Sequence, residues 1–216
     1  MAVARQRPTQ AQRRASTRAK ITAAGLEVLA AQGYTAMTFA DVAERAGVSR
    51  GALLHYFPQK PDLALATIQD GAVVLLRDLR ERVEASRSHA DRDERILDDI
   101  YQVFTGPLFQ AFLALQVHAR TDRALNARLD RIAGEAVAAI GAIAIDGWGA
   151  EELAGHPELA TFIWLVNDTI RGISLSSASD RADTGNGVWH MARPLLLGVL
   201  AQLRADATNP SAATRS

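Results

Sequence analysis

Thr38–Phe57 reads TFADVAERAGVSRGALLHYF, and these twenty residues decide the fold. Thr38 is a good helix cap, because its hydroxyl can accept a backbone N–H of the first turn. Asp41, three residues on, can return the bond to the backbone of Thr38. Val42 and Ala43, with Ala46 a turn later, give this first helix one apolar side. Gly47 then stands where a helix end favours a left-handed residue, which glycine adopts without a Cβ clash. Val48 is placed to plug the corner. Ser49 is a cap for a second helix, Arg50 to Phe57, and Pro58 cannot continue it. Two short helices joined by a tight turn containing Gly are the sequence picture of a helix-turn-helix.

The second helix carries the candidate chemistry. Leu53 and Phe57 are four apart and share a face, which is assigned to the core. Arg50, Gly51, Leu54 and His55 lie largely elsewhere. A helix start carrying Ser49, Arg50 and Gly51 suits entry into a major groove. Arg can fork onto guanine O6 and N7, Ser can bond bases or phosphate, and Gly lets the backbone approach closely. The plainer reading is a helical hairpin inside an all-α protein with no DNA involved. Charge speaks against it. Residues 1–60 hold nine Lys/Arg and three Asp/Glu, whereas residues 61–216 hold fifteen and twenty-one, so a net +6 faces a net −6. The basic end is the end with the motif, as a nucleic-acid footprint requires.

The same residues resemble the DNA-binding signature of the TetR family of transcriptional regulators. The pattern is T-x-x-x-V/I-A-x-x-A-G-V-S-x-G-x-L-x-x-Y/H-F-x-x-K. It is met by Thr38, Val42, Ala43, Ala46, Gly47, Val48, Ser49, Gly51, Leu53, Tyr56, Phe57 and Lys60. With the helix before it, the resemblance covers about the first quarter of the chain. Leu54 stands where the family often has Tyr, and Gln59 where Ser often caps the next helix. The resemblance implies a homodimer whose recognition helices enter successive major grooves of a palindromic operator in double-stranded DNA, about 34–36 Å apart. Arg13, Arg14, Arg18, Thr38, Tyr56 and Lys60 are the expected phosphate contacts. Ser49, Arg50, Gly51 and His55 are expected to face bases. It also implies a small apolar effector bound among the middle helices, and dimerisation through the last two helices. Repression, relieved when the effector tilts the fourth helix, is the expected mode of control.

Composition agrees with an all-α chain: Ala-rich, six Phe, seven Pro and no Cys among 216 residues. Absence of Cys excludes a disulfide framework and a thiolate metal site, and it fits a reducing cytoplasm. No run of 18 apolar residues spans a membrane, and the basic N-terminus lacks the apolar stretch of a signal peptide. The expected layout is a disordered basic arm over 1–15 and a helix-turn-helix domain over 16–60. A helical effector-binding and dimerisation domain follows over 61–205, then a disordered tail over 206–216.

The periodicity predicts a first helix from Ser16 or Thr17 to Ala31, ended by Gly33. A fourth runs from Pro61 to about Val83, and residues 85–93 form a charged linker. Ile96–Gln116 is helical with a break at Gly106-Pro107. Further helices are expected over Asp122–Ile145, Glu158–Ser176 and Val188–Leu203. Turns are expected around Trp148 and at Gly155-His156-Pro157, and a polar loop over 179–187.

No active site emerges. Gly172-Ile173-Ser174-Leu175-Ser176 falls one residue short of G-x-S-x-G and lies in a helix instead of a strand-to-helix elbow. His118 and Asp122 could share a helix face, but a metal site needs more ligands. No enzyme activity, metal or cofactor is expected. Tyr101, Phe104, Phe109, Phe112, His118, Trp148 and Trp164 are candidates to line an effector pocket, with Gln116, Asn167, Asp168 and Arg171 for polar contacts. Each aromatic has a plainer reading as core. Two rival functions stand beside the regulator: a small-molecule-binding or enzymatic helical protein with an incidental helix-turn-helix, and a DNA binder without an effector.

Overall fold

The structure, a computed structural model, describes residues 9–149, 158–177 and 182–208. Among these there are nine helices and no strand. In chain order they are α1 (Gln10–Ala36), α2 (Phe39–Ala46), α3 (Arg50–Tyr56), α4 (Lys60–Ser86), α5 (Arg92–Thr105), α6 (Pro107–Ala119), α7 (Arg123–Gly147), α8 (Leu159–Ser177) and α9 (Ala182–Thr208). The all-α expectation holds. Among the described residues no single helix is long and apolar enough to cross a membrane.

The punctuation acts as its chemistry demands. Thr38 Oγ1 accepts the Asp41 N–H at 3.2 Å while Asp41 Oδ2 accepts the Thr38 N–H at 3.1 Å, so α2 opens with a reciprocal box. Gly47 closes α2 at φ 65°, and the Val48 N–H reaches back to the Ala43 carbonyl at 3.0 Å. Ser49 Oγ accepts the Ala52 N–H at 3.1 Å and opens α3. Gly106-Pro107 separates α5 from α6 as expected. Asp122 opens α7, its Oδ1 accepting the N–H groups of Ala124 and Leu125 at 3.0 Å each.

Two helices, α1 and α9, differ in extent from expectation. α1 begins at Gln10, six residues before Ser16, because Thr9 and Gln12 form a capping box of their own. Arg13 and Arg14 therefore sit on a helix, not on a disordered arm. α9 likewise takes in residues 182–187, expected as loop, and continues past Asp206 to Thr208. Polar composition alone does not stop a helix that already has a well-packed neighbour to extend from. Arg5, Arg7, the turn at 155–157 and the tail from 209 lie outside the described residues.

By compactness the chain falls into two units. The first is Met1–Val74 with Pro107–Ile132, the second Leu75–Gly106 with Ala133–Ser216. In the first, α1 packs on α2 and α6, and α2 on α3. Its core is Ile21, Val28, Leu29, Met37, Val42, Leu53 and Leu63 from the N-terminal segment, with Leu115 and Leu129 from the later one. Phe57 is buried in it as expected, and Tyr34 is buried there too. The division by role set out above, with a boundary at residue 60, is not this division by compactness.

In the second unit α5 packs on α8 and α9, and α8 on α9. Leu79, Val83, Ile96, Leu97, Trp148, Phe162, Ile170 and Leu200 fill its core. A Cβ on Gly147 would lie 2.2 Å from Val83 Cγ1 and 2.9 Å from Ile96 Cδ1, so glycine lets these helices meet. Asp98 ties α5 to α9, accepting Trp189 Nε1–H at 2.8 Å and Arg193 Nη1–H at 2.6 Å. Arg204 clamps Asp93 and the Trp148 carbonyl.

Candidate nucleic-acid interface

The geometry of α3 follows from which of its residues the core takes. Leu53 is 0% exposed and Phe57 is buried, which anchors one side of the helix. Ser49, Arg50, Gly51, Leu54 and His55 are left in solvent. The four expected to face bases are therefore all exposed, Ser49 as the cap and Arg50, Gly51 and His55 on a helix seven residues long.

The six expected phosphate contacts lie on α1, at the start of α2, on α3 and at the start of α4, and several already have partners. Thr38 is exposed at the start of α2. Arg14, on the exposed side of α1, holds its guanidinium 5.9 Å from the centre of the Tyr56 ring. His55 meets the same ring edge-on at 5.9 Å. Arg13 is exposed a residue before. Arg18 is more enclosed: it forms an ion pair with Asp70 of α4 and stands 5.8 Å from the Phe57 ring centre. Lys60 Nζ donates to the Thr35 carbonyl at 3.1 Å and lies 4.7 Å from the centre of the Tyr34 ring. Burial pushes its pKa below the usual lysine value. Tyr34 in turn packs against His118 with ring centres 4.5 Å apart, and burial followed by the Asp122 charge raises its pKa. Three cation–aromatic pairs thus gather around α3 and the first turn of α4, each holding a side chain that sequence placed on DNA.

Sequence reasoning missed these internal partners. Asp70 lies 52 residues from Arg18, and nothing local marks it. The pairing of Lys60 with Tyr34 had a faint signal, since Gly33 had to turn the chain back just before Tyr34.

The candidate pocket residues divide between the two units. In the first, Phe109 and Phe112 are buried with ring centres 6.0 Å apart, and Gln116 is half-buried. His118 is taken up by Tyr34, and Asp122 by the start of α7. Among the described residues no group of three or more metal-ligating side chains exists. In the second, Phe104 is buried and Tyr101 lies flat on Trp189, ring centres 4.6 Å apart and planes 7° from parallel. Trp148 is 1% exposed and packs against Phe162. Its Nε1–H is buried with no hydrogen-bond partner, and so is Asn167 Oδ1, although Asn167 Nδ2 donates to the Ile163 carbonyl at 2.8 Å. Arg171 is half-buried, and Asp168 and Trp164 are exposed, the latter at 55%.

An outward-facing second helix on a three-helix head defines a helix-turn-helix protein. Residues 21–67 match the model for bacterial regulatory proteins of the tetR family. The chain is 33% identical over 174 residues to the HTH-type transcriptional regulator CymR of Pseudomonas putida, covering 79% of this chain and 84% of that one. The chain belongs to the TetR family of transcriptional regulators, which are not enzymes. Solved structures of other regulators share its fold. FadR of Bacillus subtilis, in complex with stearoyl-CoA, superposes with a TM-score of 0.60 at 17% identity, covering 82% of this chain and 96% of that one. A regulator of Saccharomonospora viridis, in complex with choline, gives 0.63 at 14%, covering 87% and 96%.

Proposed function

We propose that the protein is a ligand-responsive repressor that binds a palindromic operator as a homodimer and is released by a small apolar effector. The observation that carries this reading is the split of α3, with Leu53 and Phe57 held inside and Ser49, Arg50, Gly51 and His55 turned out. Arg50 forks onto a guanine and supplies most of the sequence discrimination. Arg13, Arg14, Thr38, Tyr56 and Lys60 hold phosphates and set the register. Lys60 spends one of its three donors on Thr35 and keeps the others for DNA. Arg18 reaches a phosphate only by leaving Asp70.

The dimer rests on a second observation. Val188, Met191, Leu195 and Val199 form an exposed apolar stripe along α9 at helical spacing, and Trp164, Leu165 and Leu175 lie exposed on α8, which packs beside it. A self-complementary contact of this face with its copy would bury the stripe. Effector binding is supported by the relatives of the same fold solved with stearoyl-CoA and choline. The unpartnered Trp148 Nε1–H and Asn167 Oδ1 of the second unit would suit a ligand that is apolar apart from one or two hydrogen-bonding groups. Such a ligand releases DNA only if it binds the released and DNA-bound states with different affinity.

The test is selection of binding sites from a random duplex pool with the full chain, in the cytoplasmic range of salt. A recovered palindrome with a guanine in each half-site supports the reading. A sequence without two-fold symmetry points to a DNA binder without the dimeric arrangement. Recovery of no defined site favours a helical protein with an incidental motif.

A further inference from the structure

We propose that Leu54 reads the 5-methyl group of a thymine in each operator half-site, beside a notch left by Gly51. This rests on α3 being the recognition helix. Leu53 and Leu54 are adjacent, yet Leu53 is 0% exposed and Leu54 is 37% exposed. At 100° per residue Leu54 falls between Arg50, four residues back, and Gly51, three back. An apolar side chain therefore stands in the middle of the surface offered to DNA.

Gly51 sharpens the assignment. Its backbone φ is not positive, and a Cβ there would meet nothing within 4 Å. Neither the turn nor internal packing requires glycine, and glycine weakens a helix relative to alanine. The space it leaves lies outside the protein, next to Leu54. In the major groove the one apolar group on a base edge is the thymine 5-methyl. A leucine flanked by a guanidinium and by an open backbone matches a thymine lying near the guanine that Arg50 takes. An exposed leucine is common on protein surfaces and by itself asks for no ligand; its place between Arg50 and Gly51 supplies the occupant.

The experiment starts from sites selected with the full chain. Each thymine of the half-site is replaced singly by deoxyuridine, which removes only the methyl. One thymine per half-site should cost roughly fourfold in affinity, the value of one buried methyl group. Leu54→Ala should bind the thymine and deoxyuridine sites equally, and Leu54→Met, still apolar, should keep the discrimination. Matching thermal midpoints for both variants establish that they fold. The proposal is overturned if every deoxyuridine site binds the native chain like its parent, or if Leu54→Ala retains the loss. In either case a recovered palindrome leaves the recognition-helix reading standing. Failure to recover any site overturns both.

Discussion

At Gly51, helix stability and the proposed recognition role ask for different side chains. Nothing inside the protein opposes a methyl there. Gly51→Ala should therefore stabilise the fold by roughly 0.5–1 kcal/mol, read as a higher thermal midpoint. The same change should weaken DNA binding, because the methyl fills the approach to the groove. A variant that is less stable, or one that binds as well as the native chain, would show that Gly51 serves something else. At Arg50 the demand is single. Arg50→Ala should lose roughly 1–3 kcal/mol of operator binding and relax preference at one base per half-site. Measured on a panel of single-base site variants, a uniform loss would instead make Arg50 a phosphate contact. The outward residues of α3 were legible because a period of 3.6 assigns faces once Leu53 and Phe57 are given to the core. The engagement of Arg18 by Asp70 was not, since an ion pair across 52 residues leaves no local trace.

Among the elements, the caps carry most of what sequence could tell. Thr38, Gly47, Ser49 and Gly106-Pro107 each act through a bond or a backbone angle that their own chemistry dictates. Thr38→Ala should cost about 1 kcal/mol by leaving an N–H of the first turn of α2 unpaired, which chemical denaturation would read. The start of α1 shows the opposite case. Thr9 and Gln12 carry a capping signature, but the polar, arginine-bearing and acid-free composition of residues 1–15 points to disorder. Local capping won because the helix had an apolar stripe further on to build from. Close approach between helices is harder still to read. Gly147 resembles any helix-ending glycine in sequence, yet Val83 and Ile96 press on its missing side chain. Gly147→Ala should destabilise by roughly 1–3 kcal/mol through overpacking, seen as a lower denaturation midpoint. A neutral result would mean that Val83 yields freely.

For the whole molecule, helix count and apolar pattern gave the all-α class, while the pairing of distant segments was not legible. In sequence the stripe on α9 shows only as excess apolarity, with more leucines between 195 and 200 than one core can take. The structure sorts it: Leu196, Leu200 and Leu203 go inside, and Met191, Leu195 and Val199 stay out. Leu195→Glu should leave a folded chain that sediments as a monomer and loses operator affinity by orders of magnitude, since one head alone makes half the contacts. A dimer that survives the charge would place the interface elsewhere.

The packing of α6 on α1 has a practical corollary for anyone who would transplant the reading head. The fragment ending at Val74 lacks Pro107–Ile132, whose Leu115 and Leu129 complete the same core. A splice made inside the fourth helix strips that cover, leaves the side of α1 on which α6 packs open to water, and yields a sticky graft. A working chimera must borrow both segments, so new specificity is better installed by repainting the outside of the third helix than by swapping cassettes.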